Sequence, residues 1–392
     1  MAGAEVFDNE EIQAVADVIN RKMIHRYGSI DSRKDIYRVE EFEREAARLA
    51  GSKYALGVSS GTAALITALK CAGVKPGDEV ITTPFTFIAS IEAIVACDAV
   101  PILGDIDETL SLDPNCVEKL ISPRTAAILP VHMFGCAADM DRFLEIGKKH
   151  QLPVIEDACE VVGGTYKSRW LGSMGLCGTW SFDPNKSLTV GEGGIILTND
   201  EKLYKKMEYY HDHGHVHSKE HDRGADVKCG FGVNYRLSEV QGALGLVAFK
   251  KMPLILGKMR ASKKKILDAV ASTGLRARPM NDPAGDTATH VIFLLPTAAA
   301  AKKFQQASKE AGCPCGIISE NTWHYAKNWQ ALEEIGEKEF FGTRTPSYMP
   351  ETMAKSEAIL SRAVMFGLNI EMSDAALDKM VSAIKAGAKA AL

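Results

Sequence analysis

The sequence predicts an α/β protein, a mostly parallel seven-stranded sheet followed by a smaller α+β C-terminal domain. Three observations predict it. Short apolar runs alternate with helical stretches of about ten residues through the first half of the chain, as in βαβ units whose helices cover both faces of a parallel sheet. The alternation then gives way, after residue 178, to strands with little helix between them. At 392 residues the chain can also bury more than one core.

The elements follow in order. A helix is expected from Glu10 to about His25, after Asp8-Asn9, and another from Val39 to Ala50, stopped by Gly51, a residue that tolerates a left-handed cap. Strands are expected at Ala55–Val58, Glu79–Thr82, Val100–Leu103, Ala126–Val131 and Pro153–Glu156. Helices should lie between them at Thr62–Ala72, Ile88–Cys97, Asn115–Ile121 and Met140–His150. Gly178–Phe182 and Gly194–Thr198 complete the seven strands and are close enough to pair antiparallel. A long helical pattern runs from Leu237 to about Ser272, with breaks expected at Pro253 and Gly257. It bridges a large domain, 1–250, and a small one, 251–392. The latter holds His290–Leu295, an alanine-rich helix Thr297–Gly312, Ile317-Ile318 and a final helix Ser373–Leu392.

Bulk properties narrow the function. Charged residues make up 24% and the net charge is −4, so no global basic field recruits nucleic acid. No run of about 18 apolar residues is evident, so no membrane span is expected. The first residues lack the basic and apolar regions of a secretory signal. The nine cysteines are scattered, mostly in apolar contexts, and Cys313-Pro314-Cys315 is too tight for a zinc ribbon. A cytoplasmic location is expected.

The chemistry centres on Lys186, boxed between small and polar residues in Ser181-Phe182-Asp183-Pro184-Asn185-Lys186-Ser187-Leu188-Thr189-Val190-Gly191-Glu192-Gly193-Gly194. A lysine so enclosed is expected to lose enough charge to attack a carbonyl. Upstream, an apolar strand ends in Glu156-Asp157. A Schiff-base lysine with an aspartate for a pyridinium nitrogen is the minimum equipment for pyridoxal phosphate chemistry. Val58-Ser59-Ser60-Gly61-Thr62 ends a strand and opens a helix, whose free N–H groups make an anion site. The same residues would also serve as an ordinary helix cap. Ser181 offers a second hydroxyl for the same phosphate. Phe87, just past a strand's C-terminal end, can cover a ring face or sit in the core. Each feature has a bland reading; their succession at strand ends is what one cofactor crevice requires.

Ser60-Gly61-Thr62-x-Ala64-Leu65, Thr86-Phe87, Pro130-Val131-His132-Met133-Phe134-Gly135 and Glu156-Asp157-Ala158-Cys159 stand in this order. Ser181-Phe182-x-x-x-Lys186 through Gly194 and Gly232-Val233-Asn234-Tyr235-Arg236-Leu237-Ser238-Glu239 follow. Together they resemble the fold-type I pyridoxal phosphate enzymes, and within them the DegT/DnrJ/EryC1/StrS group of sugar aminotransferases. The resemblance runs from about residue 8 to 250 and more loosely to the end. It implies that Lys186 carries pyridoxal 5′-phosphate and shuttles a proton, and that Asp157 keeps the pyridine nitrogen protonated. Phe87 would stack on the ring. Ser60, Gly61, Thr62 and Ser181 would hold the phosphate. In a homodimer with shared active sites, Asn234 would reach the neighbour's phosphate and Arg236 its substrate pocket. Substrates would be L-glutamate and a keto or aldehyde sugar. Family dehydratases carry histidine at the lysine position, so Lys186 favours amino transfer. Glu160 departs from the usual glutamine or histidine near the cofactor, and a carboxylate there would repel the phenolate oxygen unless protonated or turned away.

Five of the ten histidines lie at His211, His213, His215, His217 and His221. Alternate histidines suit a metal, but a polar loop beside the active site is the favoured reading, since the family shows a His-Gly pair where His213-Gly214 stands. Lys219, Arg223 and Lys228 make this loop a candidate anion clamp, with His213 toward substrate. His324, in Asn321-Thr322-Trp323-His324-Tyr325, would hydrogen-bond a sugar hydroxyl. Arg26-Tyr27-Gly28 and the Asn321–Trp329 stretch resemble a subgroup near the 8-amino-3,8-dideoxy-manno-octulosonate aminotransferase, which implies an 8-oxo sugar acid of lipopolysaccharide as acceptor. Nucleotide-linked 3- or 4-keto hexoses are the alternative. A lyase or desulfurase and a non-catalytic metal-binding protein remain as other classes. A desulfurase needs an exposed reactive cysteine, for which no recognisable setting stands here, and a metal-binding protein leaves Lys186 and Asp157 unexplained.

Overall fold

The computed structural model describes residues 3–28, 33, 37–217, 225–336, 339–340, 343–344 and 353–392. Helix α1 (Asn9–Asn20) starts at a capping box, Asp8 accepting from the first-turn backbone while Glu11 reaches back to the Asp8 amide. It stops short of the expected His25, because Lys22 adopts φ 59° and turns the chain away. Helix α2 (Arg38–Ala50) ends, as expected, at Gly51 with φ 67°.

The strands β1 (Tyr54–Val58), β2 (Glu79–Thr82), β3 (Val100–Leu103), β4 (Thr125–Ile128) and β5 (Ile155–Asp157) follow, separated by α3 (Gly61–Ala72), α4 (Ala89–Val95), α5 (Pro114–Leu120) and α6 (Met140–His150). A small ladder, β6 (Thr165–Tyr166) with β7 (Arg169–Trp170), precedes β8 (Cys177–Ser181) and β9 (Gly194–Thr198); α7 (Glu201–Tyr210) comes next. Pairing gives β1-β9-β8-β5 and β3-β2-β4, and parallel bridges Ile128–Val154 and Val131–Asp157 join the two into one seven-stranded sheet. Only β9 runs antiparallel to its neighbours, β1 and β8. That reversal was expected from the short connection between β8 and β9.

Apolar residues cover both faces, as a parallel sheet demands. On one face Phe42 of α2 packs against Phe182 and against Phe249 of the following long helix, with ring centroids 5.2 and 4.7 Å apart. On the other, Leu65 and Leu69 of α3, Ile94 of α4 and Met207 of α7 close over Leu56 and Ile196.

The long helix is α8 (Glu239–Val270), capped by a Ser238–Gln241 box. It runs through Pro253 and Gly257 without the expected breaks. Both residues lie on its exposed side, while Met252, Ile255, Leu256 and Met259 are buried on the other. Packing on one face thus holds the helix through the single backbone donor that proline removes. The stretch Glu239–Thr273 is also long and apolar enough to cross a membrane by length and composition, which corrects the sequence expectation that no such stretch exists. Half of its most apolar window is buried inside the protein, the arrangement of a core helix.

Beyond α8 a second sheet has the order β10 (Arg276–Ala277), β11 (His290–Leu294), β15 (Ala363–Gly367), β12 (Gly316–Ile317). Between β12 and β15 lie α10 (Gln330–Gly336), α11 (Ala354–Leu360) and the two-residue strands β13 (Glu339–Phe340) and β14 (Thr343–Arg344). Helices α9 (Ala298–Glu310) and α12 (Asp374–Ala391) cover this sheet, burying Phe293, Phe304, Phe366 and Ile384.

Candidate active site

The C-terminal ends of β1, β2, β5 and β8 meet at one cavity of about 330 Å³. Its lining includes Ser60, Gly61, Thr62, Phe87, Asp157, Glu160, Ser181 and Lys186. These are eight of the residues the sequence singled out, brought together from four strand ends.

Ser60 caps α3, its Oγ accepting from the Ala63 amide at 3.0 Å, so the helix N-terminus faces the cavity with amides to spare. Gly61 is a close-approach glycine: a Cβ there would lie 2.8 Å from Ser181 Cβ, 3.0 Å from its Oγ and 3.2 Å from Cys159 Sγ. The space a side chain would fill is therefore the gap between the helix start and the Ser181 hydroxyl.

Asp157 is buried at the end of β5, in register with Thr179 of β8. Its Oδ1 accepts from the Cys159 amide at 3.1 Å and its Oδ2 from Ser90 Oγ at 2.6 Å. Ser90 in turn lies 2.6 Å from Thr86 Oγ1. This hydroxyl relay orients the carboxylate, and Ser90 escaped the sequence reading; only its position one turn past Thr86-Phe87 signalled it. Adjacent Glu156 is spoken for: its carboxylate takes amides from Gly172, Met174 and Gly175 at 2.6–2.9 Å and anchors that loop. Strand alternation separates the structural acid from the one open to the cavity.

Lys186 stands on a closed loop. The Phe182 amide bonds the Gly193 carbonyl at 2.9 Å, and the Val190 amide returns to the Phe182 carbonyl at 3.0 Å. Asp183 caps the turn by accepting from the Asn185 amide at 2.7 Å, while buried Leu188 and Val190 pin it to the core. From the far side, the Gly3 amide donates to the Lys186 carbonyl at 2.8 Å, where a Cβ on Gly3 would sit 2.5 Å from the Ser187 carbonyl oxygen.

The electrostatics correct one expectation. Burial pulls Lys186 toward neutrality, but it is outweighed by the Glu160 carboxylate in direct contact with Nζ and by Asp183 at 3.8 Å, and the net shift is upward. Glu160 is accordingly ionised: burial opposes its charge, yet Lys186 and then His324 bring it down to about 2. The carboxylate is turned to the lysine. Cys159 lines the same cavity, and burial together with Asp157 pushes its thiol well up, so it is no thiolate nucleophile.

Phe87 faces the small-domain segment, its ring 5.9 Å from His324 and 6.3 Å from Trp323, and the Thr86 amide donates to the His324 carbonyl at 2.9 Å. His290, at the start of β11, stacks on Phe134 at 4.0 Å and was also missed by the sequence.

His213, Asn234 and Arg236 are not among the residues lining the cavity of their own chain. Asn234 is exposed, Arg236 pairs with Asp212, and His213 is exposed with φ 53°. The histidines of this loop are held by other side chains of the protein, two of them by Tyr27. His211 Nε2 lies 3.0 Å from Tyr27 Oη, His217 stacks on Tyr27 at 3.8 Å, and His215 is held between Asp226 and Lys228. His221, Lys219 and Arg223 lie outside the described residues.

A capped helix start with space beside it, an oriented buried acid, a half-buried aromatic ring and an enclosed lysine around one cavity fit pyridoxal 5′-phosphate: anion cradle, pyridinium partner, ring cover and carbonyl-reactive amine. The DegT/DnrJ/EryC1/StrS aminotransferase family model matches residues 6–385, and the chain belongs to that family. It is 43% identical over 215 residues to the GDP-perosamine synthase of Caulobacter vibrioides, a match covering 55% of this chain and 57% of that one. It is 34% identical over 247 residues to the L-glutamine:2-deoxy-scyllo-inosose aminotransferase of Micromonospora echinospora, covering 60% and 59%. The chain thus aligns with little more than half the length of these curated relatives. Among solved structures, the aminotransferase from Psychrobacter cryohalolentis superimposes with a TM-score of 0.82 at 31% identity, covering 96% of both chains.

Two outcomes follow from the geometry. Gly61→Ala fills the gap beside Ser181 and should weaken pyridoxal phosphate binding tenfold or more in an absorbance titration, with the far-ultraviolet circular dichroism unchanged. Burial also holds His217 at about 4 and His290 at about 3. Both fall below the ordinary value of about 6.5, so the unfolded chain binds the extra protons; this stability is present above about pH 6.5 and lost as pH falls through 4 and then 3. The thermal midpoint should therefore drop from pH 6.5 to 4, and His290→Gln should flatten the acidic part of the fall.

Proposed function

We propose that this chain is a pyridoxal phosphate-dependent aminotransferase that moves an amino group from L-glutamate to a keto or aldehyde sugar. The observation that carries the reading is the convergence of Lys186, Asp157 and the N-terminus of α3 on one cavity. When bound, pyridoxal phosphate supplies a carbonyl that takes up an amine and a ring that draws electrons from the neighbouring carbon. Ser60, Gly61, Thr62 and Ser181 would hold its phosphate at the N-terminus of α3. Asp157, fixed by Ser90, would pair with the ring nitrogen and favour its protonated form. Phe87 would cover the ring and help exclude water. Lys186 would carry the cofactor, and its Nζ would serve as the acid–base group of the site.

The working unit in this reading is a homodimer with shared active sites. Asn234 is assigned to the neighbour's phosphate and Arg236 to its substrate pocket. Support comes from their absence from the lining of their own chain's cavity and from fully exposed Phe231, with exposed Val227, on the same segment. His324, beside Phe87, is assigned to a sugar hydroxyl; its buried Nδ1 has no hydrogen-bond partner among the described residues. His213 is assigned to substrate through the neighbouring subunit. A cytoplasmic location is supported by nine free thiols.

The specific acceptor proposed is 8-oxo-3,8-dideoxy-manno-octulosonate, aminated to the 8-amino sugar in lipopolysaccharide synthesis. Arg26-Tyr27-Gly28 and Asn321–Trp329 support it, and exposed Lys228 offers a cation for the carboxylate. Arg26 itself serves architecture, donating to Gly57 O and to buried Glu43. A nucleotide-linked keto-hexose is the rival acceptor, favoured by the likeness to GDP-perosamine synthase.

On adding L-glutamate to the purified protein, the long-wavelength visible band of the lysine-bound cofactor should give way to a shorter-wavelength band. The product should then aminate the 8-oxo sugar acid in preference to nucleotide-linked 3- and 4-keto hexoses. A band unmoved by any amino donor would sink the aminotransferase reading. The reverse acceptor preference would sink only the specific sugar.

A further inference from the structure

Glu160 and Lys186 form a wall between two spaces. Both line the large cavity, and both line a water-sized cavity of about 20 Å³ behind it, bounded by Thr287 and Thr289 of the segment leading into β11. Their side chains are in direct contact, with only 10% and 14% of their surfaces exposed. Two features of the chain make that contact hard to avoid. Glu160 follows Asp157 by three residues on the turn after β5, which the Cys159 amide ties to Asp157 Oδ1. Lys186 stands on a loop closed at both ends by backbone bonds. A sequence at this site that needed only a hydrogen bond would be served by a neutral side chain. An acid instead places a full negative charge on the lysine, and a shielded pair of this kind is strongly coupled.

We propose that Glu160 is a positioning residue that holds Lys186 as an ammonium ion in the cofactor-free protein. The consequence rests on the aminotransferase reading. Before Nζ of the cofactor-free protein can attack a carbonyl, the pair must release a proton: it leaves Nζ for solvent, the N–H electron pair stays on nitrogen, and Glu160 remains a carboxylate. The protein thereby also sets a threshold for cofactor capture, because a carbonyl reacts with the neutral amine and not with the ammonium. The other groups around the pair do not change its sense. Asp183, on the lysine's own turn, adds a second negative charge at 3.8 Å. The Cys159 thiol is kept neutral by burial and Asp157. His324 and His290, facing Glu160 from the small domain, are both shifted toward their neutral forms by burial. Arg278 and Lys263 stand behind His290 and act on it rather than on the lysine.

The test reads the lysine directly. Full-length protein stripped of cofactor is exposed to trace acetic anhydride across a range of pH, and acetylation of Lys186 is followed by peptide mass spectrometry. In the unsubstituted protein, Lys186 should react with a midpoint above the ordinary lysine value of about 10.4. In Glu160→Gln the midpoint should fall by one unit or more, making Lys186 tenfold more reactive near neutral pH. Glu160→Asp, which keeps the charge, should stay nearer the parent. Capture of added pyridoxal phosphate near neutral pH should accelerate in Glu160→Gln in the same proportion. A parent midpoint at or below that of ordinary lysines overturns the proposal even if Glu160→Gln fails to fold. So does an unchanged midpoint in a folded Glu160→Gln. Failure to capture pyridoxal phosphate at all, with the acetylation shift intact, would instead count against the cofactor reading and leave the pair standing.

Discussion

The parallel pairing of β5 with β8 is the constraint on which the site depends. It sets Asp157 opposite Thr179, two residues before Ser181, at the same edge of the sheet. Because β9 returns antiparallel beside β8, the loop between them must close within a dozen residues, and Lys186 is carried on it. The partner at the other side of β9 is β1, which delivers Ser60 and Gly61 to that edge. Three chemically distinct groups from distant parts of the chain are thus placed by backbone hydrogen bonds, and their side chains need little further steering. The crevice lies outside the carboxyl ends of the strands, where open α/β sheets hold their ligands.

Charge is distributed around this frame with a clear division of labour. Glu156 and Asp157 are adjacent and both buried, yet one is saturated by backbone amides and the other is held by a serine hydroxyl with a face left to the cavity. The acid that neutralises Lys186 comes from a third position, Glu160. Burying a charge without a partner costs several kcal/mol, so a lysine in this enclosure needs either a carboxylate or a covalent bond to a carbonyl. Glu160 supplies the first and leaves the second available.

Much of this was legible in the chain. The seven strands were visible because each is a short apolar run between turn residues, and the cavity residues because each stands just past such a run. Three things were not. The protonation of Lys186 was misjudged because burial and a facing carboxylate act in opposite directions, and only the fold brings Glu160 onto Nζ. The continuity of α8 was missed because proline and glycine signal a break locally, whereas the buried row from Met252 to Met259 holds the helix through both. Ser90 and His290 carry no motif of their own; their positions against Asp157 and Phe134 exist only after β2, β5 and β11 have been assembled. Asn234, Arg236 and His213 were chosen by likeness alone, and none of them lines the cavity of its own chain, which is what makes a second subunit part of the proposed site.

The central claim is that Lys186, and no other lysine, carries the cofactor. Borohydride reduction of the protein incubated with pyridoxal phosphate, followed by peptide mass spectrometry, tests it most directly, because reduction fixes the cofactor to whichever amine holds it. The account predicts one modified peptide, the one containing Lys186, and its loss in Lys186→Ala. Stoichiometric labelling of a different lysine, or none, would contradict it.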